Sequence, residues 1–298
     1  MWVLKICAGI KLIVIAGSAS PRLSARVARE LECELIKPVV KRFPDGEFYV
    51  RIEAELRGEH VVVVQSTCSP QNDNLIELCF LIGAARDLGA KRVTSFVPYL
   101  AYARQDKRFK AGEAVSVSTV CKLIEAAGAT DFVTIDVHHD EVMRNFSIPA
   151  YSLTAMPLLG QHLNKLKLRD PVVLGADKGS IDRAKRVSLE MGAEHDYLEK
   201  KRISPRNVVV KPKRLNVLNR DVVIVDDIIS TGGTIIEAVR MLKRQKARRI
   251  YAACTHPVLV GKALQKIKIA GVKNIISTDT IEHPVSRVSV APLITDVL

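Results

Sequence analysis

Residues 222–234 are the stretch that most constrains how this chain can fold. Four β-branched residues, 222–225, are followed by Asp226 and Asp227, then by a loop of hydroxyl and glycine residues, then by an apolar helical pattern at 235–239. β-branched residues fit a pleated, buried surface, and the switch to helical spacing marks the start of a helix. A strand that leads directly into a helix predicts a parallel α/β sheet.

The loop in this stretch has the features of an anion site. Its residues are Ser230, Thr231, Gly232, Gly233 and Thr234. The two glycines let backbone N–H groups turn towards one point, and the following helix adds the positive end of its dipole. No Gly-Lys-Ser/Thr follows, so the loop is not a nucleoside-triphosphate loop of the Walker A type. We predict that it binds a monoester phosphate.

The acidic pair beside the loop narrows the ligand further. Two carboxylates would repel a triphosphate, whereas the vicinal hydroxyls of a sugar are good donors to them. A ribose carrying a 5′-phosphate satisfies the loop and both carboxylates together. The alternative is an ordinary strand–helix turn with a surface acidic pair, but strand, Asp-Asp and Ser-Thr-Gly-Gly-Thr rarely coincide by chance.

Composition sets the general class of protein. The 298 residues allow two domains of about 150 residues, and 48% hydrophobic content fills two cores. Residues 1–17 are too short an apolar segment to span a bilayer and lack a cleavage site, so we expect a cytoplasmic protein without a membrane partner. The six cysteines include no Cys-x-x-Cys pair, which predicts buried thiols rather than a zinc site or a disulfide framework.

The formal net charge of +13 raises the question of whether the protein binds nucleic acid. Its densest cluster contains Arg240, Lys243, Arg244, Lys246, Arg248 and Arg249. No aromatic interleaving or nucleic-acid motif accompanies these cations, and a basic surface equally suits small anionic substrates. We therefore predict no nucleic-acid partner.

Apolar runs that alternate with helical patterns predict the domain organisation. Strands are predicted at 11–16, 61–65, 92–97, 132–137, 172–174, 208–210, 222–225, 250–253 and 274–277, and helices at 74–88, 115–127, 181–191, 235–245 and 258–269. The alternation breaks near 150–154, which predicts one domain over 1–150 and a second over 151–288. The last apolar segment, 289–298, is a candidate to complete the first domain.

Further motifs lie along the chain, several of them at the ends of other predicted strands, where ligands bind in open parallel sheets. They are the segments KRFPDGE at 41–47, QSTCSPQNDN at 65–74, YARQDK at 102–107, IDVH at 135–138, DKG at 177–179 and THPVL at 255–259. Together with the 226–234 loop, and in this order, they resemble the ribose-phosphate pyrophosphokinase (PRPP synthetase) family across nearly the whole chain. The resemblance implies two Rossmann-like phosphoribosyltransferase-type domains, each with a mainly parallel central sheet flanked by helices.

The resemblance also implies an activity and substrates. Members transfer the β,γ-diphosphoryl group of ATP to the 1-hydroxyl of ribose 5-phosphate, giving PRPP and AMP, and assemble as homo-oligomers. By the same resemblance, the ATP-binding residues are Phe43, Asp45, Gly46, Glu47, Arg104 and Gln105. Phe43 is the stacking side chain, because its aromatic face suits a purine.

The remaining roles are also implied by the resemblance. His138 and Asp177 match the metal-contacting positions, with Mg²⁺ as the cofactor, and the N-terminal domain contacts ATP while the C-terminal domain binds ribose 5-phosphate. Lys200 and Arg202 fall in the catalytic loop, with Lys201 as the adjacent alternative. Arg202 also matches a ribose-5-phosphate position, as do Asp226, Asp227, Ser230, Thr231, Gly232, Gly233 and Thr234.

Two other functions share part of this pattern. A phosphoribosyltransferase would share the 226–234 loop but would normally be a single domain without the Phe43 and Arg104 motifs. A non-catalytic regulatory subunit would be expected to have lost catalytic groups, whereas His138, Asp177 and Lys200 are all present. Both alternatives are therefore disfavoured.

Overall fold

A computed structural model describes residues 10–204, 207–210 and 215–298, with the backbone alone for 200–204 and 207–210. The chain divides into two compact units. Unit 1 contains residues up to 153 together with 280–282 and 290–298, and unit 2 contains 154–279 and 283–289. The break thus follows residue 153, three residues after the position expected from the sequence.

Unit 1 has a six-stranded parallel sheet in the order β2-β1-β5-β6-β7-β8, with a separate antiparallel hairpin β3–β4. Its strands are β1 (Leu12–Ala16), β2 (Glu34–Ile36), β3 (Val39–Arg42), β4 (Phe48–Arg51), β5 (His60–Val64), β6 (Arg92–Val97), β7 (Asp131–Ile135) and β8 (Ala150–Leu153). Its helices are α1 (Pro21–Glu30), α2 (Gln71–Asp87) and α3 (Ser116–Ala126), and a 3₁₀ turn at Ala291–Asp296 packs on α1.

Unit 2 has a second six-stranded parallel sheet, in the order β10-β9-β13-β14-β15-β16, with an antiparallel hairpin β11–β12. Its strands are β9 (Val172–Gly175), β10 (Glu194–Tyr197), β11 (Lys200–Ser204), β12 (Asn207–Val210), β13 (Asp221–Ile228), β14 (Arg249–His256), β15 (Ile275–Thr278) and β16 (Ser286–Val288). Its helices are α4 (Met156–Asn164), α5 (Ile181–Met191), α6 (Gly233–Arg244) and α7 (Ala263–Ala270).

The central strand of unit 2 shows why an unbroken β-branched run forms here. Val222 and Ile224 pack into the core on the α6 side, whereas Val223 and Val225 pack into the core with α4 and α5. A strand covered on both faces has no solvent side, so its sequence does not alternate. Full burial of each such side chain contributes about 1.5–3 kcal/mol. The predicted α/β fold with two mainly parallel sheets flanked by helices is confirmed.

The two units repeat one topology. In each unit, the first strand in the chain is the second strand in the sheet order. The antiparallel hairpin comes, in the chain, just before the strand that is third in the sheet order. The hydrogen bond from Gly17 N to Val64 O in unit 1 has its counterpart from Ala176 N to Val225 O in unit 2, both at 2.9 Å. The residues that follow Val64 and Val225 therefore occupy equivalent positions.

Several predicted elements differ from the observed ones. Residues 150–154, expected to be a break, include the edge strand β8, and the helix predicted at 258–269 begins only at Ala263. The sequence analysis did not identify α1, α4, β2 or β10. Of the cysteines within the described residues, Cys121 and Cys254 are buried, but Cys33, Cys68 and Cys79 are only partly buried.

Candidate active site

The acidic pair lies inside the end of β13 rather than after it. β13 continues to Ile228, so successive side chains of the pair alternate between the two faces of the sheet. Asp226 is partly exposed, whereas Asp227 is 3% exposed and lies 3.6 Å from Nη2 of Arg183 on α5. The backbone N–H of Asp227 donates to Asp226 Oδ1 at 3.0 Å. Asp226 is thus the member of the pair that a ligand can reach.

The loop after β13 needs glycine at one position. Gly232 has φ +78° and precedes the first residue of α6. A Cβ there would lie 2.7 Å from Cδ1 and Cγ1 of Ile267, a fully buried side chain of α7. Gly233 has ordinary backbone geometry, and the nearest atom to its Cβ would be Thr231 Oγ1 at 3.8 Å. The turn at Gly232 directs the start of α6, and with it a group of backbone N–H donors, towards the sheet edge.

The segment after β14 supports the same loop. Leu259 N donates to Ile229 O at 2.9 Å, and Val260 N donates to Ser230 O at 3.2 Å. Leu259 has φ +40°, which a helix cannot accommodate. These tertiary hydrogen bonds explain why the apolar pattern after residue 257 does not become helical until Ala263.

Asp177 follows β9, the strand next to the one that carries the acidic pair. β9 and β13 are adjacent and parallel, with Gly175 paired to Val225, so Asp177 and Asp226 lie at neighbouring strand ends. Asp177 Oδ1 accepts from Ser180 N at 3.1 Å and from Ser180 Oγ at 2.8 Å. The turn is tight, because a Cβ on Gly175 would approach Ser180 O to 2.8 Å. The structure therefore brings Asp177, Asp226 and the 230–234 loop to one edge of the unit 2 sheet.

The β11–β12 hairpin lies beside this edge. It begins three residues after β10, and β12 lies alongside α6, the helix that follows the loop. Its backbone register pairs Lys200 with Val210 and Arg202 with Val208. The side chains of Lys200, Lys201 and Arg202 lie outside the part of the chain that the structure describes.

In unit 1, the candidate ATP residues of the 43–47 motif form the tip of the β3–β4 hairpin. Phe43 N donates to Glu47 O at 2.8 Å, and Gly46 has φ +99°, which the turn requires. Phe43 is 48% exposed, and Asp45 and Glu47 are also exposed. The tip thus presents an aromatic ring and two carboxylates to solvent.

Arg104 and Gln105 lie on the loop after β6. Gln105 N donates to Tyr102 O at 3.0 Å, and Gln105 Nε2 donates to Lys107 O at 3.1 Å, so the loop is folded back on itself. Arg104 is exposed. The sequence alone gave no role to Tyr102, whose hydroxyl donates to Asn72 Oδ1 at the start of α2.

His138 follows the neighbouring strand, β7. Its ring lies 4.6 Å, centroid to centroid, from that of His139, and His139 Nε2 lies 3.9 Å from Asp106 Oδ2. This contact connects the turn after β7 to the loop that carries Arg104. His138 is partly buried and His139 is exposed.

The donors at these edges can be compared with the needs of Mg²⁺. Within residues 10–204, 207–210 and 215–298 no three His, Cys, Asp or Glu side chains are grouped as a metal site. Mg²⁺ is usually held by one or two carboxylates, with waters and substrate phosphates completing the shell. Asp177, on a hydrogen-bonded turn at this edge, has a carboxylate of the kind that Mg²⁺ binds. The donor set therefore fits a magnesium ion that arrives with phosphate.

Much of the basic cluster around α6 is engaged within the protein. Arg240 lies 2.5 Å from Glu237, Lys243 donates to Ala270 O at 2.7 Å, and Arg248 Nη2 lies 2.6 Å from Asp221 Oδ2. These contacts give three of the six cations a structural partner. Across the described ranges, every helix is too short or too polar to cross a membrane.

The fold and the loop together define a class: this is a phosphoribosyltransferase-type α/β protein with two such units. Residues 12–128 match the N-terminal domain of ribose phosphate pyrophosphokinase, and residues 147–290 match the phosphoribosyl transferase domain. The chain belongs to the ribose-phosphate pyrophosphokinase family, as the resemblance predicted.

Similar proteins extend over almost the whole chain. It is 48% identical over 286 residues to a ribose-phosphate pyrophosphokinase of Methanothermobacter thermautotrophicus, covering 96% of this chain and 99% of that protein. It is 40% identical to a protein of the same name from Sulfolobus acidocaldarius, covering 94% and 96%. The crystal structure of phosphoribosylpyrophosphate synthetase from Mycobacterium smegmatis superimposes with a TM-score of 0.85 at 32% identity, covering 96% and 97%.

Proposed function

We propose that this chain is a ribose-phosphate diphosphokinase. It transfers the β,γ-diphosphoryl group of ATP to the 1-hydroxyl of ribose 5-phosphate and releases AMP and PRPP. The observation that carries the proposal is the sheet edge in unit 2, where an accessible Asp226 stands beside a glycine turn and a helix N-terminus. Similarity over both units argues against a single-domain phosphoribosyltransferase.

Ribose 5-phosphate is assigned to the unit 2 edge. The N–H groups of the 230–234 loop and the start of α6 bind the 5′-phosphate, and the Asp226 carboxylate accepts hydrogen bonds from the ribose hydroxyls. Asp227 holds this segment in place through Arg183 and contacts the sugar less directly. The sugar is thereby fixed at both ends, which orients the 1-hydroxyl for attack on the β-phosphorus.

ATP is assigned to the segments of unit 1. Phe43 stacks on the adenine, Asp45 and Glu47 accept hydrogen bonds from the nucleoside, and Gly46 gives the turn its shape. Arg104 and Gln105 bind the polyphosphate end, where a planar guanidinium can form paired hydrogen bonds to phosphate oxygens. Most of these side chains are exposed, on a hairpin tip and a loop. Such a position suits a site that ATP must enter and AMP must leave in each turnover.

Lys200 and Arg202 are assigned to the reacting groups. Charge develops on the transferring oxygens and on the departing AMP, and cations placed against these oxygens stabilise the transition state. Asp177 of unit 2 and His138 of unit 1 are the residues that would hold Mg²⁺, which would neutralise phosphate charge when bound. A position on a hairpin beside α6 lets the lysine and arginine approach the phosphate-bearing edge.

The test is to incubate the purified protein with ATP, Mg²⁺ and ribose 5-phosphate and to follow the products by phosphorus NMR. AMP and PRPP in equal amounts are expected. Formation of ADP, or no turnover, would reject diphosphoryl transfer and favour a PRPP-consuming or regulatory role. We also propose that the protein is cytoplasmic and assembles as a homo-oligomer. Light scattering of the purified protein measures the mass of the assembly and tests the second point.

A further inference from the structure

Arg42, which carries no assigned role, connects the hairpin tip to helix α2. Its Nη2 lies 2.9 Å from Asp73 Oδ2, and its Nε donates to Gly46 O at 3.1 Å. Its guanidinium also lies 5.2 Å from the centroid of the Phe48 ring. One side chain therefore contacts the tip, the base of the hairpin and the helix.

A second connection reaches the same helical turn from the other ATP segment. The hydroxyl of Tyr102 donates to Asn72 Oδ1. Tyr102 has φ +67°, and its carbonyl accepts from Gln105 N at 3.0 Å, so it forms the base of the loop that carries Arg104. Asn72 and Asp73 are consecutive residues in the first turn of α2. The two tethers therefore converge on one turn.

That turn is itself firmly fixed. Leu75 and Leu78, within the next two turns of α2, are buried in the unit 1 core. Asn74 Nδ2 donates to Cys68 O at 2.8 Å, which holds the helix start to the segment after β5. Beside it, a cleft of about 450 Å³ is lined by Arg42 and Asp73, with other residues from the hairpin, the helix and the segments after β1 and β5. An anchor on a packed helix can position exposed segments.

We propose that the first turn of α2 is a positioning element for ATP: Asp73, through Arg42, holds the tip that carries Phe43, and Asn72, through Tyr102, holds the loop that carries Arg104. This inference rests on the proposed function for the identity of the nucleotide. Asn72 and Asp73 act through other residues and touch no reacting atom. Loss of either tether weakens ATP binding because the free segment must be ordered when the nucleotide binds.

A purely structural role is the alternative. An aspartate in the first turn also interacts favourably with the helix dipole, and a partly exposed ion pair adds little to stability. Such a role predicts lower thermal stability without selectivity between substrates. The positioning role predicts a change confined to ATP.

The variants are Asp73→Asn, Asp73→Glu and Tyr102→Phe. Asn keeps the size of the side chain but removes its charge, Glu keeps the charge, and Phe removes one hydroxyl. Glu53→Gln is the matched control, because it breaks the exposed Arg51–Glu53 ion pair of 2.9 Å next to β4, away from the tip. Each protein is characterised by calorimetric titration with Mg-ATP, by KM for both substrates, by kcat and by thermal melting.

For Asp73→Asn and Tyr102→Phe we expect an ATP dissociation constant and KM raised about three- to tenfold, as expected for the loss of one hydrogen bond that orders a segment. The KM for ribose 5-phosphate and the melting temperature should stay at wild-type values, and Asp73→Glu should recover part of the loss. Unchanged ATP affinity in both variants, or equal effects on both substrates with a lower melting temperature, would overturn the proposal. The titration measures ATP binding without turnover. If the wild-type protein formed no PRPP, the proposed function would be rejected, but the effect of the two tethers on ATP binding would still be measured.

Discussion

Arg183 Nη2 lies 3.6 Å from Asp227 Oδ2, and this contact gives Asp227 different surroundings from Asp226, its neighbour in the sequence. Asp227 is satisfied inside the protein, whereas Asp226 is partly exposed at the end of β13. From the sequence, the two residues are expected to act as one ligand-binding pair. The fold gives them different surroundings, and different effects of substitution should follow.

Asp226→Asn should weaken the binding of ribose 5-phosphate, and Asp227→Asn should lower the stability of the folded protein. Removing the accessible carboxylate takes away an acceptor for the sugar, so KM for ribose 5-phosphate should rise about tenfold or more with little change in melting temperature. Removing the buried carboxylate takes away its contact with Arg183, which should lower the free energy of unfolding by about 1–3 kcal/mol. Denaturant unfolding and steady-state kinetics on both variants check this, and equal losses of stability would contradict it.

Gly232→Ala should destabilise unit 2 far more than Gly233→Ala. Alanine at 232 meets both a left-handed backbone and the Ile267 side chain at 2.7 Å, with an expected cost of about 2–4 kcal/mol. Alanine at 233 meets only an ordinary contact, so its unfolding free energy should stay within about 0.5 kcal/mol of wild type. Gly192→Ala is a further control, because Gly192 has φ +58° but open space around its Cβ. Chemical denaturation compares the three variants, and similar stability for the 232 and 233 variants would refute the argument.

Lys200→Ala should lower kcat by several orders of magnitude while leaving ATP binding largely intact. A cation that contacts the transferring oxygens acts chiefly in the transition state, so its loss appears in kcat rather than in substrate affinity. Lys201→Ala is measured beside it, because Lys201 is the adjacent alternative, and the loss of kcat should be confined to the Lys200 variant. Rapid-quench assays of AMP formation measure the effect, and near-normal turnover for Lys200→Ala would remove this lysine from the mechanism.

Unit 1 should lose stability in mild acid, because His60 is neutral in the folded protein and protonated in the unfolded chain. Burial, followed by the nearby positive charge of Arg92, lowers the pKa of His60 from 6.5 to about 4, although Asp131 opposes the shift. The folded state therefore holds His60 neutral, with Nε2 2.8 Å from Thr94 Oγ1, while the unfolded chain takes up a proton below pH 6.5. The associated stability is present above pH 6.5 and is lost as the pH falls towards 4.

The expected loss is about 1–2 kcal/mol, reduced from the full shift because the ring is partly exposed. Urea unfolding at pH 4.5 and pH 7.5 on wild type and His60→Gln tests this. The variant should lose less stability than wild type between the two pH values, and parallel pH profiles would show that another group is responsible.

Local patterns were enough to predict the phosphate loop. The β-branched strand, the Asp-Asp step and the glycines all lie within 13 residues, so the whole arrangement is encoded by neighbours in the chain. By contrast, the ion pair between Arg183 and Asp227 joins residues 44 positions apart, on a helix and a strand brought together only by tertiary packing. No local signal in the sequence could have identified Arg183.

The errors in the predicted elements have the same origin. Residues 258–262 carry an apolar helical pattern, but Leu259 N and Val260 N donate to Ile229 O and Ser230 O rather than to carbonyls of their own segment. β8 is a four-residue edge strand that follows Pro149 and is defined by its pairing with β7. Propensity is a weak guide for such short segments, because contacts with distant parts of the chain decide their conformation.

The shared strand order of the two units shows that framework and chemistry are separable in this molecule. After Val64, unit 1 places Gln65 and Ser66 where unit 2 places Asp226 and Asp227 after Val225. Both unit 1 residues are wholly buried and uncharged, and Gln65 Oε1 accepts from Ala19 N at 2.9 Å. The same sheet edge thus carries a partly exposed carboxylate, to which we assign the sugar, in one half and internal packing in the other. A change of ligand requires replacing only the residues that follow a strand, while the sheet beneath them stays the same.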